Sequence, residues 1–173
     1  MIKNIGIEEQ VRLWDGCQSY WKFNETGGTV AYDSIGIGNA ILNAYCTWTT
    51  SGKTGNAVVL NNATNKPYIT LPYSTITGGY NAWEYNSKWS MSFWIKRIIT
   101  GQYSYFFVKS KQTSPYAGWR MGINNLDKLY FQWANNSGTA VCYGSCSGGT
   151  TLNSTTDWYH IVFTYSGTTG DVS

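Results

Sequence analysis

The acidic side chains are the residues of this chain that could support hydrolytic chemistry. Cleavage of a glycosidic bond needs two carboxyl groups roughly 5–10 Å apart, one acting as the acid and the other as the nucleophile or base. Only nine acidic residues occur in the 173-residue chain, and no two lie two residues apart along a predicted strand. Glu84 has aromatic neighbours, Trp83 and Tyr85, but the nearest acidic residues in sequence, Asp33 and Asp127, are distant. The acidic residues therefore argue against a glycoside hydrolase.

His160 is the only histidine and the only side chain that could serve as an imidazole base. A serine or cysteine nucleophile would need such a base, but the sequence has no Gly-x-Ser-x-Gly motif and no orienting partner near His160. A single histidine in a strand is more often a packed, hydrogen-bonded residue. We therefore predict that the protein is not an enzyme.

Aromatic and amide side chains are the residues suited to binding. Aromatic faces stack on the C–H surfaces of sugars, and amides and hydroxyls recognise sugar hydroxyl groups. Trp, Tyr and Asn are concentrated in residues 78–88, GGYNAWEYNSK, and recur at 102–105 and 116–120. A chain with nine Trp and fourteen Tyr exposes some of them in any case. The candidate ligand-binding residues are Tyr80, Trp83, Tyr85, Tyr103, Tyr105 and Trp119.

The cysteines permit several states, which the sequence leaves open. Cys17, Cys46, Cys142 and Cys146 allow three disulfide pairings, among them a small loop closed by the last two. No Cys-x-x-Cys pair and no nearby histidine occur, so a zinc site is not predicted.

Composition and charge exclude several classes of protein. High aromatic content, 19 glycines, 3 prolines and 12% charged residues favour an all-β domain with many turns. The net charge of +3 comes from scattered basic residues, which excludes the basic patch of a nucleic-acid-binding protein. The sequence contains neither a signal peptide nor an apolar run of membrane-spanning length. We expect an extracellular protein or a virion-surface protein released by lysis.

The stretch 158–165, WYHIVFTY, is the element around which we expect the domain to form. Aromatic and β-branched residues occupy both alternating sets of positions, which predicts a strand that is buried on both faces. We also predict that Trp89, Trp94 and Trp158 lie in the core.

The remaining chain predicts an antiparallel β-sandwich or jelly roll, because no long helical periods separate the strands. We predict that residues 1–16 form a short helical lead-in and that Asn124–Asp127 and Asn135–Gly138 form hairpin turns. The other predicted strands are 19–23, 41–45, 57–61, 68–71, 90–96, 103–109, 119–124, 128–134 and 139–143.

Five segments in order carry a resemblance to a known family. The chain from about Tyr20 to its C-terminus resembles the laminin-G-like, concanavalin A-like jelly-roll family. The segments are YWKFNE at 20–25, AYDS at 31–34 with Gly36, Gly38 and Asn39, GNAV at 55–58 before Tyr68 and Ile69, SMSFWIK at 90–96, and WYHI at 158–161 with Thr164 and Tyr165.

The resemblance implies two curved antiparallel sheets, often with a calcium ion at a loop rim, and binding of glycans or proteins mostly without catalysis. Asp33, Asn39 and Asn24 are the candidate calcium ligands. Residues 60–65 offer only amides where family members commonly place an acidic residue, and neutral oxygens bind calcium more weakly. The domain is predicted to span 17–173 and to lack C-terminal strands, because only three residues follow the turn at 166–170.

The favoured function is that of a non-catalytic binding or adhesion module for carbohydrate or a cell-surface ligand. The alternative is a structural virion or surface-decoration domain, since fold alone does not decide function. Partners would be carbohydrate or a surface protein, with self-association or partner association through the unfinished C-terminal sheet edge. The ligand, the oligomeric state and whether the chain is a fragment stay open.

Overall fold

The computed structural model describes residues 15–35, 38–61, 64–65, 67–71, 88–110, 118–134, 140–145 and 150–166. Regular structure in these ranges consists of strands joined in antiparallel pairs, without a helix. The predicted helix at 1–16 falls largely outside them. The strands are β1 (Val30–Ala31), β2 (Ala40–Leu42), β3 (Thr47–Thr49), β4 (Ala57–Val59), β5 (Ile69–Thr70), β6 (Trp89–Lys96), β7 (Ser104–Ser110), β8 (Gly118–Ile123), β9 (Leu129–Ala134), β10 (Ala140–Ser145) and β11 (Trp158–Tyr165).

The chain divides into two compact units, Met1–Gly79 and Tyr80–Ser173. The first unit contains a three-stranded sheet in the order β1-β2-β5 and the hairpin β3-β4. Its core is built on Ala31, Ala40 and Leu42, which are all buried. No helix in the described ranges is long and apolar enough to cross a membrane.

The second unit contains a four-stranded sheet in the order β10-β9-β8-β7 and the strand pair β11-β6. Side chains from both sheets meet in one aromatic core, in which the rings of Trp89 on β6 and Trp119 on β8 stack at 5.1 Å. Met91, Met121, Phe131 and Tyr165 complete the buried cluster. The prediction of a two-sheet antiparallel β-sandwich is therefore confirmed.

The prediction that 158–165 is buried on both faces is wrong. Ile161 and Tyr165 of β11 are buried, whereas His160 and Val162 are exposed, so the strand buries one face only. Trp94 pairs with His160 across the sheet and shares that outer face, where it is 46% exposed. Trp94 is therefore not a core residue, whereas Trp89 is, at 7% exposure. Aromatic and β-branched residues are common on both the buried and the exposed face of a strand, so these residue types did not show which face is buried.

The predicted strand at 19–23 is also wrong, since this segment forms only an isolated bridge between Trp21 and Asp33. Phe23 has a φ of 52°, which interrupts an extended strand. The hairpin at 124–127 is confirmed: the Asn124 amide donates to the Lys128 carbonyl at 2.9 Å, and Asp127 adopts a φ of 58°. The predicted turns at 135–138 and 166–170 lie outside or largely outside the described ranges.

Candidate functional site

The outer face of the four-stranded sheet carries the tyrosines that the sequence singled out. On β8 the buried Trp119 and Met121 point inward, and the intervening Arg120 is exposed, because successive strand residues face opposite sides. Register pairs Arg120 with Gln132 of β9, and Gly122 with both Tyr105 of β7 and Tyr130 of β9. We call this surface the tyrosine face and define it by Tyr103, Tyr105, Arg120, Tyr130 and Gln132.

Two exposed tyrosine rings flank a third, buried ring on the tyrosine face. Tyr103 and Tyr105 are 54% and 49% exposed, and Tyr130 is 4% exposed. Each exposed ring meets Tyr130 edge-on, with both centroid distances at 5.9 Å. Gly122 of β8 lies between Tyr105 and Tyr130 in the register, so these two rings meet from the strands on either side of β8. The result is an aromatic surface in which two accessible rings pack against a buried one.

A polar pair borders these rings. The Arg120 Nε donates a hydrogen bond to the Gln132 Oε1 at 2.6 Å. The guanidinium carbon of Arg120 lies 5.4 Å from the centroid of the Tyr105 ring, within the range of a cation–π contact. The side chain of Arg120 is thus oriented from two sides while it stays exposed.

The structure brings together only part of the predicted binding residues. Tyr103 and Tyr105 both contact Tyr130 on the tyrosine face, whereas Tyr80, Trp83 and Tyr85 fall outside the described ranges. Trp119 is a correction, because it is 2% exposed within the core and offers no face to a ligand. Arg120, Tyr130 and Gln132 were missed: alternation within the predicted strand 128–134 puts Tyr130 and Gln132 on one face, but only the register of β8 with β9 adds Arg120 to it.

His160 lies on the outer face of the β6-β11 pair, away from any described acidic partner. Its Nε2 hydrogen bonds with the Ser92 Oγ at 2.8 Å, and its ring stacks on Trp94 at 4.7 Å. The histidine is therefore hydrogen-bonded, as predicted. Neither contact supplies the carboxylate that orients a catalytic histidine in a triad.

The Cys46 thiol of the first unit is unsuited to nucleophilic chemistry. Cys17 and Cys46 are free, so they are not joined to each other or to a later cysteine. Burial raises the pKa of the Cys46 thiol, although hydrogen bonds at Asn43 and Tyr68 oppose the effect. Reactive cysteines have lowered pKa values instead. The predicted Cys142–Cys146 loop involves a residue outside the described ranges.

Asp33 is bonded to backbone amides. Its Oδ1 accepts from the amides of Tyr20 and Ile35, both at 2.9 Å, and its Oδ2 accepts from the Gly38 amide at 3.2 Å. The Asn39 Oδ1 accepts from the Asp33 amide at 3.1 Å. These bonds fix the loop on which Asp33 lies.

The three candidate calcium ligands do not form one set of free oxygens. The Asn24 Oδ1 accepts a hydrogen bond from the Asn56 amide at 3.0 Å, so this oxygen is bonded to a residue other than Asp33. A calcium ion at Asp33 would have to displace amide donors from the carboxylate, and calcium needs six to eight oxygens. In the ranges described, no group of three or more His, Cys, Asp or Glu residues could hold a metal ion. Within the described residues these donors are engaged in bonds of the fold, and calcium binding at Asp33, Asn39 and Asn24 stays a prediction.

We expect Asp33 to make the stability of the first unit sensitive to acid. Burial alone would raise the pKa of Asp33, but hydrogen bonds from Tyr20, Ile35, Ser19 and Gly38 together hold it below its usual value. A carboxyl with a lowered folded-state pKa stabilises the fold fully above its unfolded pKa of about 3.9, and the stabilisation is lost as pH falls through the folded pKa. Asp33→Asn should lower the free energy of unfolding at pH 7 by about 1.5–3 kcal/mol.

Urea unfolding measured from neutral to strongly acidic pH checks this expectation. The Asp33→Asn variant should lose less stability on acidification than the wild type, because the substituted group no longer titrates. Asp15 is exposed, and Asp15→Asn is the matched control for removing a carboxyl group outside the Asp33 loop. Parallel acid profiles for wild type and Asp33→Asn would contradict the role assigned to the Asp33 carboxylate.

Comparison with known proteins places the chain in a family. A laminin-G model of the concanavalin A-like lectin/glucanases superfamily matches residues 62–173, more than half of the 173-residue chain. The chain belongs to this superfamily. Neither the curated proteins nor the solved structures gave a match. The superfamily match includes strands β5 to β11 and the whole tyrosine face, and supports a carbohydrate-binding or related module in general terms.

Proposed function

We propose that this domain is a non-catalytic module that binds carbohydrate through the tyrosine face. The observation that carries the proposal is the pair of half-exposed rings, Tyr103 and Tyr105, which lie edge-on to the buried Tyr130. The hydrogen-bonded pair of Arg120 and Gln132 lies beside them. Rigid exposed rings offer apolar area to sugar C–H groups, and the adjacent guanidinium and amide offer hydrogen bonds to hydroxyls. Such a combination of an apolar surface with a few convergent polar groups is typical of ligand sites.

The environment of two described acidic residues, Asp33 and Asp127, supports binding without cleavage. A glycosidase acid needs a raised pKa so that it carries a proton at neutral pH. The pKa of Asp127 is lowered, chiefly by the Gly101 amide with a further contribution from Arg97, although burial opposes the shift. The pKa of Asp33 is also lowered. Both carboxylates therefore serve as acceptors within the fold.

We further propose that the domain acts outside cells or on a virion surface. Laminin-G-like domains are commonly extracellular. Its partner there would be a carbohydrate, either free or carried by a surface protein. The alternative of a decoration domain without glycan binding is an outcome of the following test.

A glycan array followed by calorimetry tests the proposal. We expect Tyr103→Ala and Tyr105→Ala each to weaken binding of the best glycan about tenfold, which is ~1.4 kcal/mol, since each removes an exposed stacking surface. Trp94→Ala is the matched control, because it removes an exposed ring from the opposite sheet of the same unit and should leave affinity unchanged. The same incubations should release no reducing ends.

Other results would assign the function elsewhere. Loss of affinity on Trp83→Ala, with both tyrosine variants unaffected, would move the site to residues 78–88. Loss only on Trp94→Ala would move it to the outer face of β6 and β11. Absence of binding to any glycan by the folded wild type would contradict the proposal and favour the decoration domain. Release of reducing ends that Glu84→Gln abolishes would show an enzyme.

A further inference from the structure

The charged end of Arg120 carries information on the ligand of the tyrosine face. Its Nε is used by Gln132, and its guanidinium lies over Tyr105. Nη1 and Nη2 make no hydrogen bond or ion pair with any residue that the structure describes. The residue is exposed, so these two donors face a ligand or solvent.

Arg97 in the same unit shows what a purely structural arginine looks like in this fold. It is 6% exposed, and its Nη1 donates both to the Asp127 Oδ1 and to the Leu152 carbonyl. Its Nη2 lies 3.4 Å from the Gln102 carbonyl. Arg97 thus finds its acceptors within the chain, whereas Arg120 is held in place with its terminal nitrogens unused.

The geometry of the free donors selects the kind of anion. A guanidinium presents its two Nη groups as a planar fork whose spacing matches the two oxygens of a carboxylate. Because Gln132 occupies Nε, the end-on pair Nη1 and Nη2 is the edge left for such a contact. Orientation by Gln132 and Tyr105 also reduces the side-chain entropy that Arg120 would lose on binding.

We infer that the tyrosine face takes a saccharide that bears a carboxylate, as uronic and sialic acids do. The sugar carboxylate would accept hydrogen bonds from Nη1 and Nη2 of Arg120, and the sugar ring would lie against Tyr105 and Tyr103. This inference rests on the proposed carbohydrate-binding function and specifies the ligand class.

The charge of the described outward-facing side chains of β7 to β9 favours one carboxylate over a polysulfated chain. A polyanion gains affinity from rows of cations that neutralise many of its charges at once. Within strands β7 to β9, the described outward-facing side chains include one charged group, Arg120, among Tyr105, Val108, Tyr130 and Gln132. A single oriented fork suits a single carboxylate with a modest dependence of affinity on salt.

Matched pairs of saccharides test the inference. The probes are oligosaccharides of galacturonate, glucuronate, mannuronate and sialic acid, each paired with its carboxyl-reduced form, which keeps the sugar backbone and removes the charge. We expect at least one acidic probe to bind, and its reduced partner to bind at least about tenfold more weakly. Arg120→Gln should remove this preference, and Arg120→Lys should restore only part of it. Thermal unfolding verifies that both variants are folded.

Failure of this inference is distinguishable from failure of the proposed function. If the acidic and reduced probes bind equally, or if only neutral glycans bind, the carboxylate inference is wrong and carbohydrate binding stands. If the Arg120→Gln variant still prefers the acidic probe to its reduced form, another residue binds the carboxylate and the inference is wrong. If heparin binds more tightly than every carboxylated probe and its affinity falls steeply with salt, the ligand is a polysulfated chain instead. If no glycan binds, both statements fail together.

Discussion

Replacing Trp119 with alanine is expected to lower the free energy of unfolding of the second unit by about 3–5 kcal/mol. Trp119 is 2% exposed, and its ring stacks on Trp89 at 5.1 Å and lies 6.1 Å from Phe131. Truncation removes this aromatic contact and leaves a cavity, since a close-packed core relaxes only in part around a deleted side chain. Denaturant unfolding followed by far-UV circular dichroism measures the loss.

Trp94→Ala provides the control for the Trp119 prediction. Trp94 is 46% exposed on the outer face of β6, where its ring stacks on His160. Its removal creates no buried cavity and should cost about 1 kcal/mol or less. If Trp119→Ala costs no more than Trp94→Ala, Trp119 does not lie in the core. That result would instead support the original prediction that Trp119 binds a ligand.

The contrast between these two tryptophans shows what the sequence could predict and what it could not. Alternating aromatic and β-branched residues with Gly and Asn turns were enough for the antiparallel sandwich. The same residue types gave no indication of which face of a strand meets the core, because Trp and Tyr are favoured on both. Trp94 was therefore placed inside and Trp119 outside, and both assignments were wrong.

The tyrosine face was predictable only in part for a similar reason. Tyr103 and Tyr105 stood out as aromatic residues beside polar ones, which is a local signal. Arg120 and Gln132 become neighbours only through the register of β8 with β9. The composition of either segment alone does not indicate that pairing. Asp33 was expected either to cap a turn or to bind calcium, and only the positions of the surrounding amides favour the first.

Gly122 affects both the packing of β7 against β8 and the position of the proposed binding site. A Cβ placed on Gly122 would lie 2.1 Å from the carbonyl oxygen of Ser104 and 3.1 Å from the Cα of Tyr105. Both are backbone atoms of β7, next to the register shift between Tyr105 and Phe107. The bulged strand thus comes so close to β8 that only glycine fits, and a rotamer change cannot relieve the clash.

Gly122→Ala is accordingly expected to destabilise the second unit by about 3 kcal/mol or more, at or beyond the upper end of typical overpacking costs. The β7 backbone must move, and Tyr105 with it, so glycan affinity should fall even where the variant is still folded. Gly27→Ala is the control, because a Cβ there meets nothing within 4 Å, and it should leave stability within about 1 kcal/mol of the wild type. Calorimetric unfolding and glycan titration on both variants check the two effects. A Gly122→Ala protein with wild-type stability would show that β7 and β8 do not approach as described, and the tyrosine face would lose the geometry on which its proposed function rests.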